Sequence, residues 1–541
     1  MKQSFVARSS IAEAPPLQLS WLGRLPLSLA ARLLPWAALS AIVGAGLFLR
    51  LYRLEGFTTY YPDSYAQLRA VENLLSASFP LSYLYPPGVS LFLAPFFAVL
   101  PNSLVTLQAV VMTAGLALVA VAYAASQAAT GDRRAALLFA AAVALSVTFV
   151  FYSRVALFDV INTLLIALSL FLAPVVIRRG AWALVPYGIL VFVTITVRYT
   201  NLVILPALFL AALGLSARPL SRRIVIDQLR SRATLTVGLV VAALYLVYAA
   251  TTIESFTRFT NSSGSILDFG GYLPRLARYA QANLTGLGGG FRWEDGLMAL
   301  AVFAFAIVGA QRLWRTNRGL LIPIAFLIIV WSPVHAVYEI FVGRYAMPSF
   351  FLVLLLATFG LSISLAWWRS LDRPWQRVGL AALIASGVTI FAAGQLAQDY
   401  LLYQDPAEGR EVAYNDVRRV LQDLDGERSV LISSQLLAVD RANPSLAHYD
   451  LLVHSETYGI NDGSTERLVS YVEERHGEGM TLYYHYTEYE DVRSRFRKYE
   501  LGFDAYFAAL EREFAVRELM RSPSTERVQR IYVIEPLPDD P

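Results

Sequence analysis

Four side chains in this sequence have the type and spacing for chemistry: the carboxylate of Asp63 and the guanidinium groups of Arg154, Arg198 and Arg344. A carboxylate can take the proton of an attacking hydroxyl as a general base. An arginine fork can hold two oxygens of a phosphate at once and offset the negative charge that grows on it as it departs. Each arginine stands where an apolar run ends or is about to begin, in Ser153-Arg154, Val197-Arg198-Tyr199 and Gly343-Arg344-Tyr345. Tyr345, His335 and Tyr85 add hydrogen-bond donors, and Asp159 adds a second acid five residues after Arg154.

Each of these residues also has a plain structural reading. Asp and Ser are favoured helix N-caps, and Ser64 followed by Gln67 makes a capping box, which is the expectation for Ser64. For Asp63, cap and catalyst stay open together. Arginines at span ends can snorkel to the interface, Arg344 can pair with Glu339, and Arg154 can pair with Asp159. Asp159 can be an N-cap, can orient Arg154, or can contact substrate. Asp268, Glu294 and Asp295 read as solvated loop residues, and the glycine-rich run 286–290 as a candidate lid.

The elements that have to hold these groups are membrane helices. Of 541 residues, 56% are hydrophobic and 16% charged, and the mean hydropathy is +0.49. A bilayer is the expected solvent for such a chain. The net charge of +4 is small and its arginines fall in short clusters between apolar runs, so nucleic acid is not an expected partner. There is no cysteine, and four of the five histidines follow residue 440, so neither thiolate nor imidazole metal centres are expected in the apolar part.

A spanning helix needs about 20 mostly apolar residues, and by that rule about eleven spans are expected. They lie near 34–52, 103–126, 135–152, 160–177, 181–197, 199–216, 233–253, 296–311, 319–335, 345–368 and 378–398. With the N-terminus inside, Arg133/Arg134, Arg178/Arg179, the run 218–232, Arg312/Arg315/Arg318 and Arg369/Arg373/Arg377 all fall on the cytoplasmic side. Residues 53–102, 153–159, the turn at Arg198, 254–295, 336–344 and everything after 398 then lie outside, in a cytoplasmic (inner) membrane. The expected organisation is a cytoplasmic tail over 1–33, a transmembrane domain over 34–398, and an extracytoplasmic α/β domain over 399–541. In the last, β-like runs at 429–433, 480–486 and 528–534 alternate with helical patterns at 466–475 and 504–514.

The first outer loop carries Tyr61-Pro62-Asp63-Ser64-Tyr65 and, some twenty residues on, Tyr83-Leu84-Tyr85-Pro86-Pro87-Gly88. Its stretch 64–77 is amphipathic, with Leu68, Val71, Leu74 and Leu75 on one face, and fits a helix lying along the interface. The segment 88–100 is too short to cross and is expected as a re-entrant or juxtamembrane helix. This loop resembles the first periplasmic loop of the GT-C glycosyltransferases, in particular the dolichyl-phosphate-mannose protein mannosyltransferases and bacterial lipid A aminoarabinose transferases. Asp63 matches the first of that family's two acids, Ser64 stands in place of the second, and 83–87 match its Tyr-x-x-Pro-Pro-like element. The resemblance continues at Ser153-Arg154-Val155-Ala156-Leu157-Phe158-Asp159, at Val197-Arg198-Tyr199-Thr200 and at Gly343-Arg344-Tyr345-Ala346-Met347-Pro348, and spans roughly 34–370.

The resemblance implies an inverting transfer of a sugar from a polyprenyl-phosphate carrier to an acceptor hydroxyl of a protein, lipid or glycan. Asp63 is then the base, with Asp159, Arg154, Arg198, Arg344, Tyr345, Tyr85 and His335 around the substrate. One acid suffices, because a phosphate leaves as an anion without being protonated, unlike the leaving group of a glycoside hydrolase. No cofactor is expected; a divalent ion between Asp63 and Asp159 is chemically conceivable but is not required. Two rivals remain at this stage. A secondary transporter or flippase would carry ionisable groups near mid-bilayer in repeated halves, whereas a membrane-anchored binding or scaffold protein would leave the Asp63 loop without a task.

Overall fold

The structure is a computed structural model that describes residues 29–52, 54, 62–77, 86–179, 181–214, 222–262, 271–286, 293–337, 343–404, 417, 419–433, 443, 445–451, 454, 462–489, 497–521 and 527–537. In hydrocarbon every backbone N–H and C=O has to be paired within its own segment, so the apolar runs fold as helices. In order these are α1 (Leu29–Leu51), α2 (Pro62–Leu75), α3 (Gly88–Phe97), α4 (Leu104–Thr130), α5 (Arg133–Leu145), α6 (Val147–Arg154), α7 (Asp159–Arg179), α8 (Ala181–Ile195), α9 (Ile204–Gly214), α10 (Arg222–Leu229), α11 (Arg232–Ser262), α12 (Tyr272–Thr285), α13 (Trp293–Thr316), α14 (Arg318–Ala336), α15 (Met347–Ser370) and α16 (Pro374–Gln404).

Among the described residues, eight of these (α1, α4, α7, α11, α13, α14, α15 and α16) are long and apolar enough to cross a membrane. The pair α5 and α6, bent by 51° at Ser146, makes a ninth if counted as one span. The shorter apolar helices α8 and α9 stand at the other two expected positions, so each of the eleven expected spans has a helical counterpart. The chain is a multi-pass, α-helical membrane protein. Within the expected outer loop 254–295, the structure instead carries α11 on to Ser262, places α12 in the middle, and starts α13 at Trp293. Of the residues read there as solvated, Asp268 lies outside the described residues, and the side chains of Glu294 and Asp295 lie outside those described.

Two packing features hold the helices in place. A Cβ built at Gly309 would come 2.0 Å from the Leu356 carbonyl oxygen, and one at Gly360 1.9 Å from that of Phe305, so α13 and α15 meet backbone to backbone. Small residues allow such contact where lipid leaves no hydrophobic drive between helices. The second feature is the break between α5 and α6. There the fully buried Arg50 of α1 donates to the carbonyls of Ala144 (3.2 Å) and Phe149 (3.5 Å), and to Gly46 of its own helix (2.9 Å). A side chain at Gly46 or Gly115 would come within 3.2 Å of that guanidinium. In the reverse direction, Arg154 at the end of α6 donates to the Tyr52 carbonyl beyond α1, at 2.8 Å. Two arginines thus clasp α1 to the broken span, each meeting carbonyls of the other's segment.

The C-terminal region is a mixed five-stranded sheet in the order β2-β1-β3-β5-β4, built from β1 (Ser429–Ser433), β2 (Ala447–Asp450), β3 (Thr481–Tyr489), β4 (Phe514–Arg521) and β5 (Arg527–Pro536). Strand β1 is parallel to both neighbours, while β5 is antiparallel to β3 and β4. A parallel neighbour requires a crossover, supplied between β2 and β3 by the helix α17 (Asp462–Gly477). One face packs Val430, Ile432 and Leu482 on Leu468 and Val472 of α17, together with Tyr506 and Leu510 of α18 (Arg497–Glu513). The other packs Leu431 and Ile531 on Val417 and Leu421. Coverage on both faces explains why every residue of β1 is buried.

Inside this sheet the imidazole of His485 is fixed between Ser433 (2.9 Å) and the Gln529 side-chain oxygen (2.6 Å). The oxygen of Gln529 takes the Nε2 proton, so Nδ1 accepts from the Ser433 hydroxyl and the ring is neutral. Burial pushes its pKa down to about 4, against a smaller upward pull from the bond to Gln529. An unfolded chain therefore binds a proton between about pH 6.5 and 4 that the folded sheet refuses, and stability falls as pH drops through that window. Hydrogen-exchange protection factors of β1 and β3 in the full chain should fall between those pH values, with a shallower slope in His485→Gln. Equal slopes would remove His485 as the cause.

Candidate active site

The site is built where α8 and α14 end and α7 and α15 begin. Asp159 is the first residue of α7, and its carboxylate, 2% exposed, forms an ion pair with Arg198 and lies 3.5 Å from Nε of Arg344. Arg198 leaves α8 in extended conformation (φ −147°, ψ 144°), just before the 3-10 turn Tyr199–Val203. Its guanidinium is held between two aromatic faces, 4.6 Å from the centre of the Phe158 ring and 3.9 Å from that of Tyr345. Arg344 and Tyr345 belong to a second 3-10 turn, Gly343–Ala346, ahead of α15. Planar, weakly hydrated guanidinium groups tolerate this combination of stacking and burial, where an ammonium would not.

Several bonds fix the turns that carry these groups. Asn201 donates to the Asn162 side-chain oxygen (2.6 Å) and the Thr194 carbonyl (2.7 Å), tying the Arg198 turn to the first turn of α7. Gly88, the first residue of α3, donates its N–H to the Thr196 carbonyl at 2.9 Å. A Cβ there would stand 2.4 Å from the Val193 oxygen and the Val197 nitrogen, so only glycine permits this approach. The Pro86-Pro87-Gly88 element therefore seats α3 against the backbone immediately before Arg198. On the other flank the Trp331 indole donates to the Tyr345 carbonyl (2.6 Å), and Arg275 of α12 donates to Ala336 (3.0 Å). His335 is buried beside Tyr345, at 5.4 Å between ring centres, and its Nδ1 bonds the Trp331 carbonyl at 2.8 Å.

Of the residues singled out from sequence, the structure brings together Asp159, Arg198, Arg344, Tyr345 and His335. It does not bring Arg154 to Asp159. That guanidinium turns to the Tyr52 carbonyl, and Asp159 takes the more distant Arg198 and Arg344, so the Arg154–Asp159 pair that the spacing allows is not formed. Neither acid is a plain N-cap: α2 begins at Pro62 and α7 at Asp159, which places residues 63 and 159 inside the first turns. The expected capping box at Ser64 is also corrected. Ser64 lies within α2 and its hydroxyl donates to the Ala156 carbonyl at 2.6 Å, pinning α2 to the segment that leads into Asp159. The Asp63 side chain, Tyr85 and Glu339 lie outside what is described. The conceivable ion site between Asp63 and Asp159 shares that position, and no three His, Asp or Glu side chains converge among the described residues.

No protein-family model matches this chain, and no curated protein is similar to it in sequence. Solved structures are. ArnT from Cupriavidus metallidurans in its apo state superposes with a TM-score of 0.62 at 14% identity, over 92% of this chain and 98% of that one. The chain has the GT-C fold. The same ArnT bound to undecaprenyl phosphate gives 0.59 over the same shares. The Archaeoglobus fulgidus oligosaccharyltransferase, tethered to an acceptor peptide, gives 0.55 at 12% identity, over 93% of this chain and 74% of that one. At these identities the GT-C fold is shared while almost every side chain differs, so what the site does has to be argued from its own residues.

Proposed function

We propose that this protein is an inverting glycosyltransferase that moves a sugar from a polyprenyl-phosphate carrier to an acceptor hydroxyl at the outer face of the cytoplasmic membrane. The observation that carries the reading is the meeting of Arg198 and Arg344 on Asp159 at the helix ends of a GT-C fold. Solved proteins of that fold hold undecaprenyl phosphate or a dolichol-phosphate. In the reaction the acceptor oxygen attacks the anomeric carbon and its proton passes to Asp63. The bond from that carbon to the phosphate oxygen breaks, and its electron pair leaves with the polyprenyl phosphate. Arg198 and Arg344 meet the charge that builds there, with Tyr345 and His335 beside them and Arg154 and Tyr85 as further contacts. Asp159 holds the two guanidinium groups in place and reaches the sugar.

The test is direct. Purified protein in liposomes, given a labelled polyprenyl-phosphate sugar, is expected to release the polyprenyl phosphate by transfer or slow hydrolysis. Uptake of a solute with the donor left intact would instead support a transporter. A second expectation concerns Gly88: its replacement by Ala forces backbone apart and moves the turn that carries Arg198. The KM for the donor should then rise by about tenfold, roughly 1.4 kcal/mol of binding, with a smaller change in kcat. An unaltered donor KM would separate α3 from phosphate recognition.

A further inference from the structure

One buried polar side chain on α2 has no task in this scheme. Gln67 is 1% exposed, and neither Nε2 nor Oε1 of its amide has a hydrogen-bond partner among the described residues. Buried polar groups are nearly always paired, and an amide orphaned at both ends is costly, so it calls for an explanation. Capping does not provide one, since Gln67 lies in the interior of α2 and Ser64 has given its hydroxyl to Ala156. Position does. Gln67 follows residue 63 by four places on one helix, so the two share a row, with Cβ atoms about 5–6 Å apart. Long helical side chains lean back toward the N-terminus, which directs the Gln67 amide over the turn that carries Asp63. The same face is held through Ser64, whose hydroxyl donates to Ala156, three residues before Asp159.

We propose that Gln67 is a positioning residue for the base: in the substrate-bound enzyme its Nε2–H donates to the Asp63 carboxylate, keeping it ionised and aimed at the acceptor. This rests on the reading of Asp63 as base. A hydrogen bond to the charged form lowers the pKa of a carboxyl, and bonds to an ionised acceptor are the strong ones. The unpartnered amide is then a donor held ready, satisfied when the carboxylate takes up its working position.

The experiment compares Gln67→Leu, Gln67→Glu and Asp63→Asn in the full-length protein, reading thermal midpoint and the pH profile of kcat/KM for a labelled polyprenyl-phosphate sugar. Gln67→Leu removes an orphaned amide at nearly constant volume, so its midpoint should equal or exceed that of wild type. Its acid limb should move up by about one pH unit, with kcat down about tenfold and donor KM unchanged. Gln67→Glu should move the limb further, because a like charge opposes ionisation of Asp63. A Leu variant whose profile overlies that of wild type overturns the proposal. Should the Leu variant fail to fold, an unmoved acid limb in the Glu variant does the same. Wild-type turnover by Asp63→Asn ends the base assignment itself. An inactive Asp63→Asn beside an unshifted Leu variant ends the role of Gln67 alone.

Discussion

Asp63→Asn is expected to reduce donor turnover by about 10²–10⁴-fold, the range that a positioned general base contributes, while the protein folds and binds donor as before. The expectation follows from what each group can do. An amide matches a carboxylate in shape and still accepts a hydrogen bond, but it does not take up a proton at neutral pH. In the proposed reaction the arginines act on the leaving phosphate and are untouched by the change, so donor KM should stay near its original value. A large fall in kcat with constant KM is the signature of an interaction made only in the transition state. Single-turnover assays in liposomes, with donor binding measured separately, check both halves. Full-rate transfer by the Asn variant would reject Asp63 as base whatever the fate of the arginines.

The second large effect is expected at Asp159. Its carboxylate is buried and faces two guanidinium groups, so Asp159→Asn leaves positive charges close together with their shared counter-ion gone. Breaking a buried pair by removing one partner costs about 3–5 kcal/mol, mostly through the charge left behind. The thermal midpoint in detergent should fall by several degrees, and donor KM should rise as the Arg198 and Arg344 turns lose their common anchor. Asp159→Glu, which keeps the charge, should recover part of the midpoint. An Asn variant with unchanged midpoint and KM would show that the aromatic faces of Phe158 and Tyr345 hold Arg198 without help.

The helices were legible in sequence because a bilayer demands long apolar runs, and even the broken span was found as a single run over 135–152. The bend was not, since Ser146 is ordinary in type and the carbonyls of Ala144 and Phe149 on either side of it are met from another helix, by Arg50. Asp159, Arg198, Arg344, Tyr345 and His335 are singled out by sequence and do come together, but their pairing is not legible in it. The partner that spacing offers Asp159 is five residues away, whereas the two it takes lie 39 residues on, across a helical hairpin, and in the turn ahead of α15. Spacing along the chain informs about neighbours on one helix and not about turns brought together by packing. The same limit hid Gln67, whose capping-box spacing with Ser64 looked complete although both side chains face elsewhere. In the sheet, β1 matched its expected run, while β2 is too short to show alternation and β4 begins at Phe514, the residue at which the helical pattern was expected to stop.

The arginine clasp also has a consequence for how the protein is made. Arg50 reaches the carbonyl of Ala144, 94 residues later in the chain. A ribosome adding about 5–20 residues per second needs roughly 5–20 s to supply that partner. During that interval the nascent first helix carries a cation that costs about 2.5–3.5 kcal/mol at mid-depth in lipid, less nearer the edge. The expected consequence is an order of assembly in which the first helix is locked into place only once α5 and α6 arrive to receive Arg50.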